Sequence, residues 1–338
     1  MLTANYNLQP FNTLGISAQA EFFTAVDNLQ SLLNVISIAR EKTLPLLLLG
    51  GGSNIVLTDD FPGIAIKLNL MGRELVKETD EFVWLRAGAG ENWHELVNYC
   101  LSHHYWGLEN LSLIPGCAGA APIQNIGAYG VELKDVFCEL EAVQISTGDK
   151  VVFDKDACQF GYRDSIFKGR FKDQFIITSI TLKLCKTPRY SIAYPALATA
   201  LKAIPEALLT PVDVSTAVCA IRRSKLPAVE EIPNAGSFFK NPLVSHKLYS
   251  TLQRSHPTMP AYDQGPIGVK LAAGWLIEQA GWKGKGLGGV LMHQHQALVL
   301  TNPKRASGTA VLKLAQAVCS SVVERFGIEL EIEPRVYP

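Results

Sequence analysis

A chain of 338 residues that is 48% hydrophobic and 18% charged can bury about two globular cores and is too apolar for disorder. Lys plus Arg and Asp plus Glu stand at 31 each, so no global charge selects nucleic acid or an anionic membrane. Seven scattered cysteines without a C-x-x-C pair argue against a disulfide framework and against a structural zinc.

The N-terminus, "MLTANYNLQPF", lacks a basic region followed by an apolar one, and no apolar run approaches the roughly 20 residues that span a bilayer. A reduced, cytoplasmic, soluble protein is expected. Residues 28–41, "NLQSLLNVISIARE", place apolar side chains at 29, 32, 33, 36 and 39, which predicts an amphipathic helix. "PLLLLG" (45–50) predicts a strand that runs into Gly50, Gly51, Gly52, Ser53 and Asn54. "IVLT" is the next strand, "DDFPG" (59–63) a turn, and "IAIKLN" a third strand. From residue 82, "FVWLRAGAG" reads as strand and "ENWHELVNYCLSHHY" as helix. A long small-residue stretch, "LIPGCAGAAPIQNIGAYG" (113–130), follows.

Strands resume with "LEAVQIS", a "TGD" turn, "KVVF" and "FIITSITLKLC". A proline-bearing segment (186–211) leads to a helix at 212–223. "VKLAAGWLIEQAG" (269–281) predicts a helix ending at Gly281, "QALVLTN" a strand, and 308–326 a last helix. "IELEIEPRVY" (328–337) alternates, which predicts a strand with Glu329, Glu331 and Glu333 on one face. Strand–helix–strand order with glycine punctuation indicates α+β or α/β. The expected divisions are 1–75, 76–218 and 219–338.

Two glycine patterns imitate dinucleotide turns and are set aside. Gly88 and Gly90 stand between a strand and a helix, but Trp93 holds the third glycine position. Gly284, Gly286 and Gly289 match G-x-G-x-x-G, yet "VLMHQHQALVL" after them reads as strand, so no helix N-terminus faces a pyrophosphate. His103–His104 and His293-x-His295 lack carboxylates at ligand spacing, so no metal site is expected.

The informative loops are "LGGGSNIVL" (49–57) and "IPGCAGAAPIQNIGAYG" (114–130). Successive glycines let backbone N–H groups converge on an anion and let a pyrophosphate approach closely; turn-making is the ordinary alternative. Ser53 and Asn54 can donate to the same oxygens. The second loop offers a small-residue wall for a flat ring system, with Gln124 and Asn125 at its polar edge. In "NAGSFFKNP" (234–242), Ser237 lies between a glycine and two phenylalanines. It is either a small turn residue or a proton donor walled in by aromatics.

"GGGSN", "PGCAGAAPIQNIGAYG", "FGYRDSIFK" (160–168), "NAGSFFKNP" and "KLAAGWLIEQAG", in that order, resemble the UDP-N-acetylenolpyruvoylglucosamine reductase family of bacterial cell-wall synthesis. The resemblance spans nearly the whole chain. It implies an α+β architecture: a two-subdomain FAD-binding fold of the vanillyl-alcohol-oxidase-like type, plus a C-terminal α+β substrate-binding domain. It also implies non-covalent FAD, NADPH as co-substrate, UDP-N-acetylglucosamine enolpyruvate as substrate, and a monomer that binds no nucleic acid. The flavin set it implies is Gly50, Gly51, Gly52, Ser53, Asn54, Pro115, Gly116, Cys117, Ala118, Gly119, Gln124, Asn125, Gly127 and Arg222.

Reduction of an enolpyruvyl ether needs a hydride carrier, a cation at the carboxylate and a proton donor at the alpha carbon. The resemblance gives the proton to Ser237 and the carboxylate to Arg163, whose ordinary alternative is a salt bridge with Asp164. It gives the terminal carboxylate role to Glu333, with Glu331 open because Pro334 follows Glu333 where a proline more often precedes the glutamate. Tyr162, Tyr194, Lys225, Asn241, Lys283 and Gln296 are implied for the substrate, Tyr194 on a loop of the family's longer type. Two rivals stand beside this: a flavin oxidase of the same FAD fold, and a non-catalytic nucleotide-binding regulator.

Overall fold

The computed structural model describes residues 1–338, which form two compact units. The first holds 1–6, 20–51 and 62–224; the second holds 7–19, 52–61 and 225–338. Seven α-helices occur in chain order: α1 Leu29–Glu41, α2 Trp93–Ser102, α3 Pro195–Leu201, α4 Pro211–Lys225, α5 His246–Ser255, α6 Ala273–Gln279 and α7 Gly308–Phe326. No helix is long and apolar enough to cross a membrane.

In the first unit, α1 starts where expected because the Asn28 side chain accepts the Ser31 N–H at 2.8 Å. Its apolar stripe (Leu32, Val35, Ile36, Ala39) is buried in one core with Ile64, Ile66 and Leu68. Ile64, Ile66 and Leu68 belong to a four-stranded sheet ordered Thr3–Asn7, Gln19–Val26, Phe61–Leu68, Leu46–Leu49. The last two strands run parallel, Leu46 opposite Ile64. A five-stranded antiparallel sheet follows: Lys150–Asp154, Phe137–Gln144, Phe175–Cys185, Phe82–Gly88, Arg73–Glu78. Leu85, Leu140, Ile180 and Leu182 share its core with Trp93, Leu96 and Val97 of α2.

The second unit has a sheet ordered Asn234–Ser237, Val299–Thr301, Val290–Met292, Gly286–Leu287 and a smaller one of Leu243–Val244, Val269–Leu271, Ala261–Asp263. The strand Arg335–Tyr337 pairs in parallel with Ile55–Leu57.

Three sequence expectations are corrected. "DDFPG" is no turn: the strand opens at Phe61, with Pro62 ahead of the ladder to Leu46–Leu49, where its missing N–H is tolerated. "VKLAAGWLIEQAG" divides into the strand Val269–Leu271 and α6. "IELEIEPRVY" is a strand only over Arg335–Tyr337, because Pro334 interrupts pairing; before it a single bridge joins Ile332 to Phe239. The Gly284–Gly289 pattern is a hairpin, with Gly288 and Gly289 at φ +62° and +90°, and no helix follows it directly.

Candidate active site

The Gly88–Asn92 junction, set aside as a dinucleotide turn, is the floor of the second glycine loop. Ala118 N–H donates to Glu91 O at 2.8 Å and Gly119 N–H to Ala89 O at 3.0 Å. The Glu91 carboxylate is buried and fixes the junction, taking Gly72 N–H at 2.8 Å and Arg73 Nε at 2.7 Å. Glycine is required at the contacts: a Cβ on Gly119 would stand 2.5 Å from Ala89 Cβ, and one on Gly51 would stand 2.8 Å from Gly116 Cα. The two loops therefore touch backbone to backbone. Lys67 Nζ donates to Gly50 O at 2.6 Å.

No protein group takes up the N–H of Gly51, Gly52, Ser53, Gly116 or Cys117. These peptide donors are open to an acceptor from outside the chain, and within the first unit Gly51, Gly116 and Cys117 fit the anionic part of FAD, because a diphosphate supplies such oxygens. Pro115 and Ala118 carry no polar side chain and serve as wall. Burial raises the Cys117 thiol above its ordinary value, which holds it protonated and poorly suited to tethering a flavin.

Asn125, expected at the polar edge, turns inward. Its Nδ2 donates to Glu132 Oε2 at 3.0 Å and Gly161 O at 2.9 Å, and its Oδ1 accepts Lys134 N–H at 3.0 Å. The side chain is spent on holding the loop in a left-handed turn at φ +44°. Gln124 is half-buried.

The "GAYG" turn is bracketed by two guanidiniums. Arg163, at φ +53°, donates to Gly127 O at 2.5 Å and lies 5.2 Å from the Tyr162 ring centre. Arg222 bonds the Tyr129 hydroxyl and donates from Nε to Leu113 O at 3.2 Å. Burial is the main influence lowering Arg222 below its ordinary value, and the positive charge of Arg163 adds to it. A negative charge near Arg222 would offset both influences. The Tyr129 and Tyr194 rings meet edge to face at 5.2 Å, and the buried Asn110 amide ties Tyr129 O (2.9 Å) to Ser191 O (2.7 Å). Tyr129, Asn110, Lys67 and His94 were not singled out in the sequence, although Tyr129 lies within "NIGAYG".

In the second unit, Ser237 is exposed while Phe238 and Phe239 are both 0% exposed. The expected aromatic enclosure of its hydroxyl is wrong: the phenylalanines turn into the core and leave the serine on the surface. Gly236 before it needs φ +66°, and the Asn234 side chain accepts its N–H at 2.9 Å. Glu333 N–H donates to Phe238 O at 2.9 Å, and Lys240 N–H donates to Glu331 O at 2.8 Å. The C-terminal segment is thus hydrogen-bonded along the serine motif, and Glu333 lies beside Ser237–Phe238. Asn54 joins this group through its Nδ2, which donates to Glu333 O at 3.4 Å, and through its O, which accepts Arg335 N–H at 2.9 Å.

The two open glutamates differ in setting. Glu331 is exposed and ion-paired with Lys240, whereas Glu333 is half-buried. Asn241 Oδ1 accepts the first amide of α6, Ala273 N–H, at 2.9 Å, and Gln296 Oε1 lies 3.1 Å from where a Cβ on Gly274 would stand. Both therefore flank the first turn of α6. Lys283 pairs with Glu278 at 2.8 Å, which leaves it a partly neutralised cation. Lys225 is exposed at the end of α4. No three His, Cys, Asp or Glu side chains converge on a metal position.

Residues 20–154 match a family model described as an FAD binding domain, which makes the chain a flavoprotein of α+β architecture. Residues 227–337 match a second, described as UDP-N-acetylenolpyruvoylglucosamine reductase, C-terminal domain. A protein named UDP-N-acetylenolpyruvoylglucosamine reductase from Paraburkholderia phytofirmans is 46% identical over 98% of this chain and 96% of its own length. Another, from Amoebophilus asiaticus, is 46% identical over 99% of each. The crystal structure of UDP-N-acetylenolpyruvylglucosamine reductase from Thermus caldophilus shares the fold, with a TM-score of 0.69 at 24% identity over 100% of this chain and 99% of that one. The chain belongs to the UDP-N-acetylenolpyruvoylglucosamine reductase family and is an FAD-dependent oxidoreductase.

Proposed function

We propose that the chain reduces UDP-N-acetylglucosamine enolpyruvate to UDP-N-acetylmuramate at the expense of NADPH, with Ser237 as proton donor. The observation that supports this assignment is the backbone pairing of Glu333 N–H with Phe238 O, which brings the Glu333 backbone alongside the residue that follows Ser237. Bound FAD supplies hydride chemistry that no side chain offers. Gly51, Gly52, Ser53, Gly116 and Cys117 would hold its diphosphate through backbone N–H groups, and Arg222 would add positive charge.

The substrate double bond is conjugated to a carboxylate. Hydride addition at the terminal carbon pushes the electron pair toward that carboxylate and leaves an enolate. The fixed Arg163 guanidinium, preorganised by Gly127 O, stabilises the developing charge. Ser237 gives its proton to the alpha carbon, and Glu333 orients the enolate carboxyl group. The overall balance consumes one NADPH and one proton and releases NADP⁺. Tyr194, Lys225, Asn241 and Gln296 donate to the nucleotide end, with Tyr162 beside Arg163 and Lys283 in a lesser role. In this assignment residues 1–75 and 76–218 serve the flavin and 219–338 the substrate, on a cytoplasmic monomer that inserts into no membrane.

The test separates the two half-reactions of Ser237→Ala. Reduction of the flavin by NADPH is expected to stay intact, while its reoxidation by the enolpyruvyl substrate slows. Equal slowing of both halves would assign the serine to folding instead.

A further inference from the structure

The second glycine loop is entered through Leu113, whose backbone sits at φ +59°, a left-handed conformation strained for any residue with a Cβ. Its two backbone polar groups are each held by a side chain. The N–H donates to His94 Nδ1 at 3.0 Å, from α2, and the C=O accepts Arg222 Nε at 3.2 Å, from α4. A backbone N–H can only donate, so Nδ1 must present a lone pair and the ring is the neutral Nε2–H tautomer. An imidazolium has no lone pair to offer. Protonation therefore deletes the bond that helps keep Leu113 left-handed.

We propose that His94 is a positioning residue for the flavin: by accepting the Leu113 N–H it holds residues 114–119 in flavin-binding shape, and its protonation loosens that loop and weakens FAD binding. This rests on the assignment of residues 114–119 to the flavin.

The surroundings agree with that role. Desolvation is the largest influence on His94 and lowers it below the ordinary histidine value of 6.5. Glu95 on its own helix opposes this, while Arg223 and Arg222 from α4 reinforce it. The bond is accordingly intact at neutral pH and is lost as pH falls through the lowered value. His94 also lines an open groove of about 520 Å³ with Asn98, Ser215, Thr216 and Arg223, so protons reach the ring without unfolding.

The test measures FAD affinity of the flavin-free protein by quenching of flavin fluorescence, from about pH 5 to about pH 8. Wild type, His94→Ala, His94→Asn and Leu113→Gly are compared. Asparagine places an oxygen where histidine has Nδ1 and accepts at every pH; glycine removes the strain. Wild-type affinity is expected to fall about fivefold to tenfold toward acid, the worth of one hydrogen bond. His94→Ala should be weakened by a similar factor throughout, His94→Asn should stay tight with a flattened profile, and Leu113→Gly should be nearly indifferent to pH. Hydrogen exchange at 113–119, with and without FAD, reports separately whether the loop meets the flavin. Protection of that loop by FAD together with an unchanged pH profile in His94→Asn overturns the role of His94. No protection of the loop overturns the flavin assignment itself, and the inference with it.

Discussion

Gly52→Ala asks whether the first glycine loop is rich in glycine for its ligand or for its own packing. Gly52 sits at φ +62°, and a Cβ there would lie 1.9 Å from Phe11 O and 2.7 Å from that carbonyl carbon. Both are backbone atoms, so no side chain can swing aside. The facing turn is also stiff: Asn12 Nδ2 donates to Leu8 O and Ile16 O, and Asn12 Oδ1 accepts Ile16 N–H at 2.8 Å. The left-handed conformation costs an alanine about 1–2 kcal/mol. Overpacking against fixed backbone adds about 1–3 kcal/mol. The sum of about 2–5 kcal/mol corresponds to a fall in Tm of about 3–7 °C for a protein of this size. Thermal unfolding of the flavin-free protein, followed by circular dichroism, is the assay, since the clash exists without ligand. Gly236→Ala is the control: φ is +66° but nothing lies within 4 Å of the new Cβ, so only the conformational part should appear. If flavin-free Gly52→Ala melts with wild type while FAD affinity collapses, the packing argument is wrong.

Four further outcomes are expected. Ser237→Ala should slow flavin reoxidation by the enolpyruvyl substrate by about 10²–10⁴-fold in stopped-flow absorbance, with the NADPH half-reaction unchanged. Glu331→Gln, which breaks only the exposed pair with Lys240, should change stability by less than about 1 kcal/mol and leave turnover near wild type. Glu333→Gln should slow reoxidation at least about 10²-fold, and the reverse pattern would hand the role to Glu331. Burial pushes Cys100 and Cys158 up to about 12, so both stay protonated; native protein treated with iodoacetamide near about pH 8 should show no label at either by peptide mass spectrometry.

What could be read from sequence follows the range of the interactions involved. The last helix was legible to the residue, because Ser307 caps its start, Gly327 ends it at φ +66°, and its apolar stripe is local. The strands Thr3–Asn7, Gln19–Val26 and Arg73–Glu78 went unseen. Thr3–Asn7 and Arg73–Glu78 are mostly exposed and lie at sheet edges, so neither shows a buried alternating pattern. The alternation in "IELEIEPRVY" reads as one strand, and it does not show the break that Pro334 makes by lacking an N–H for the ladder. Burial does alternate from Ile328 to Glu331, so the faces were legible where the ladder was not.

At the candidate site, residue types were legible and orientations were not. "NAGSFF" identified the serine but could not tell that both phenylalanines turn away from it. Asn125 and Ser53 look alike as polar loop residues, and only tertiary contacts show that Asn125 is fully engaged inside the protein. His94 was hidden inside an amphipathic helix, since its partner is a backbone N–H 19 residues further along the chain.

The central claim is that the bound flavin passes electrons from NADPH to an enolpyruvyl ether. The visible flavin spectrum, followed anaerobically while NADPH and then UDP-N-acetylglucosamine enolpyruvate are added, tests it most directly. Bleaching by NADPH and recovery on adding the sugar nucleotide is the predicted result. A flavin that bleaches and regains its colour only when air is admitted would contradict it and identify an oxidase.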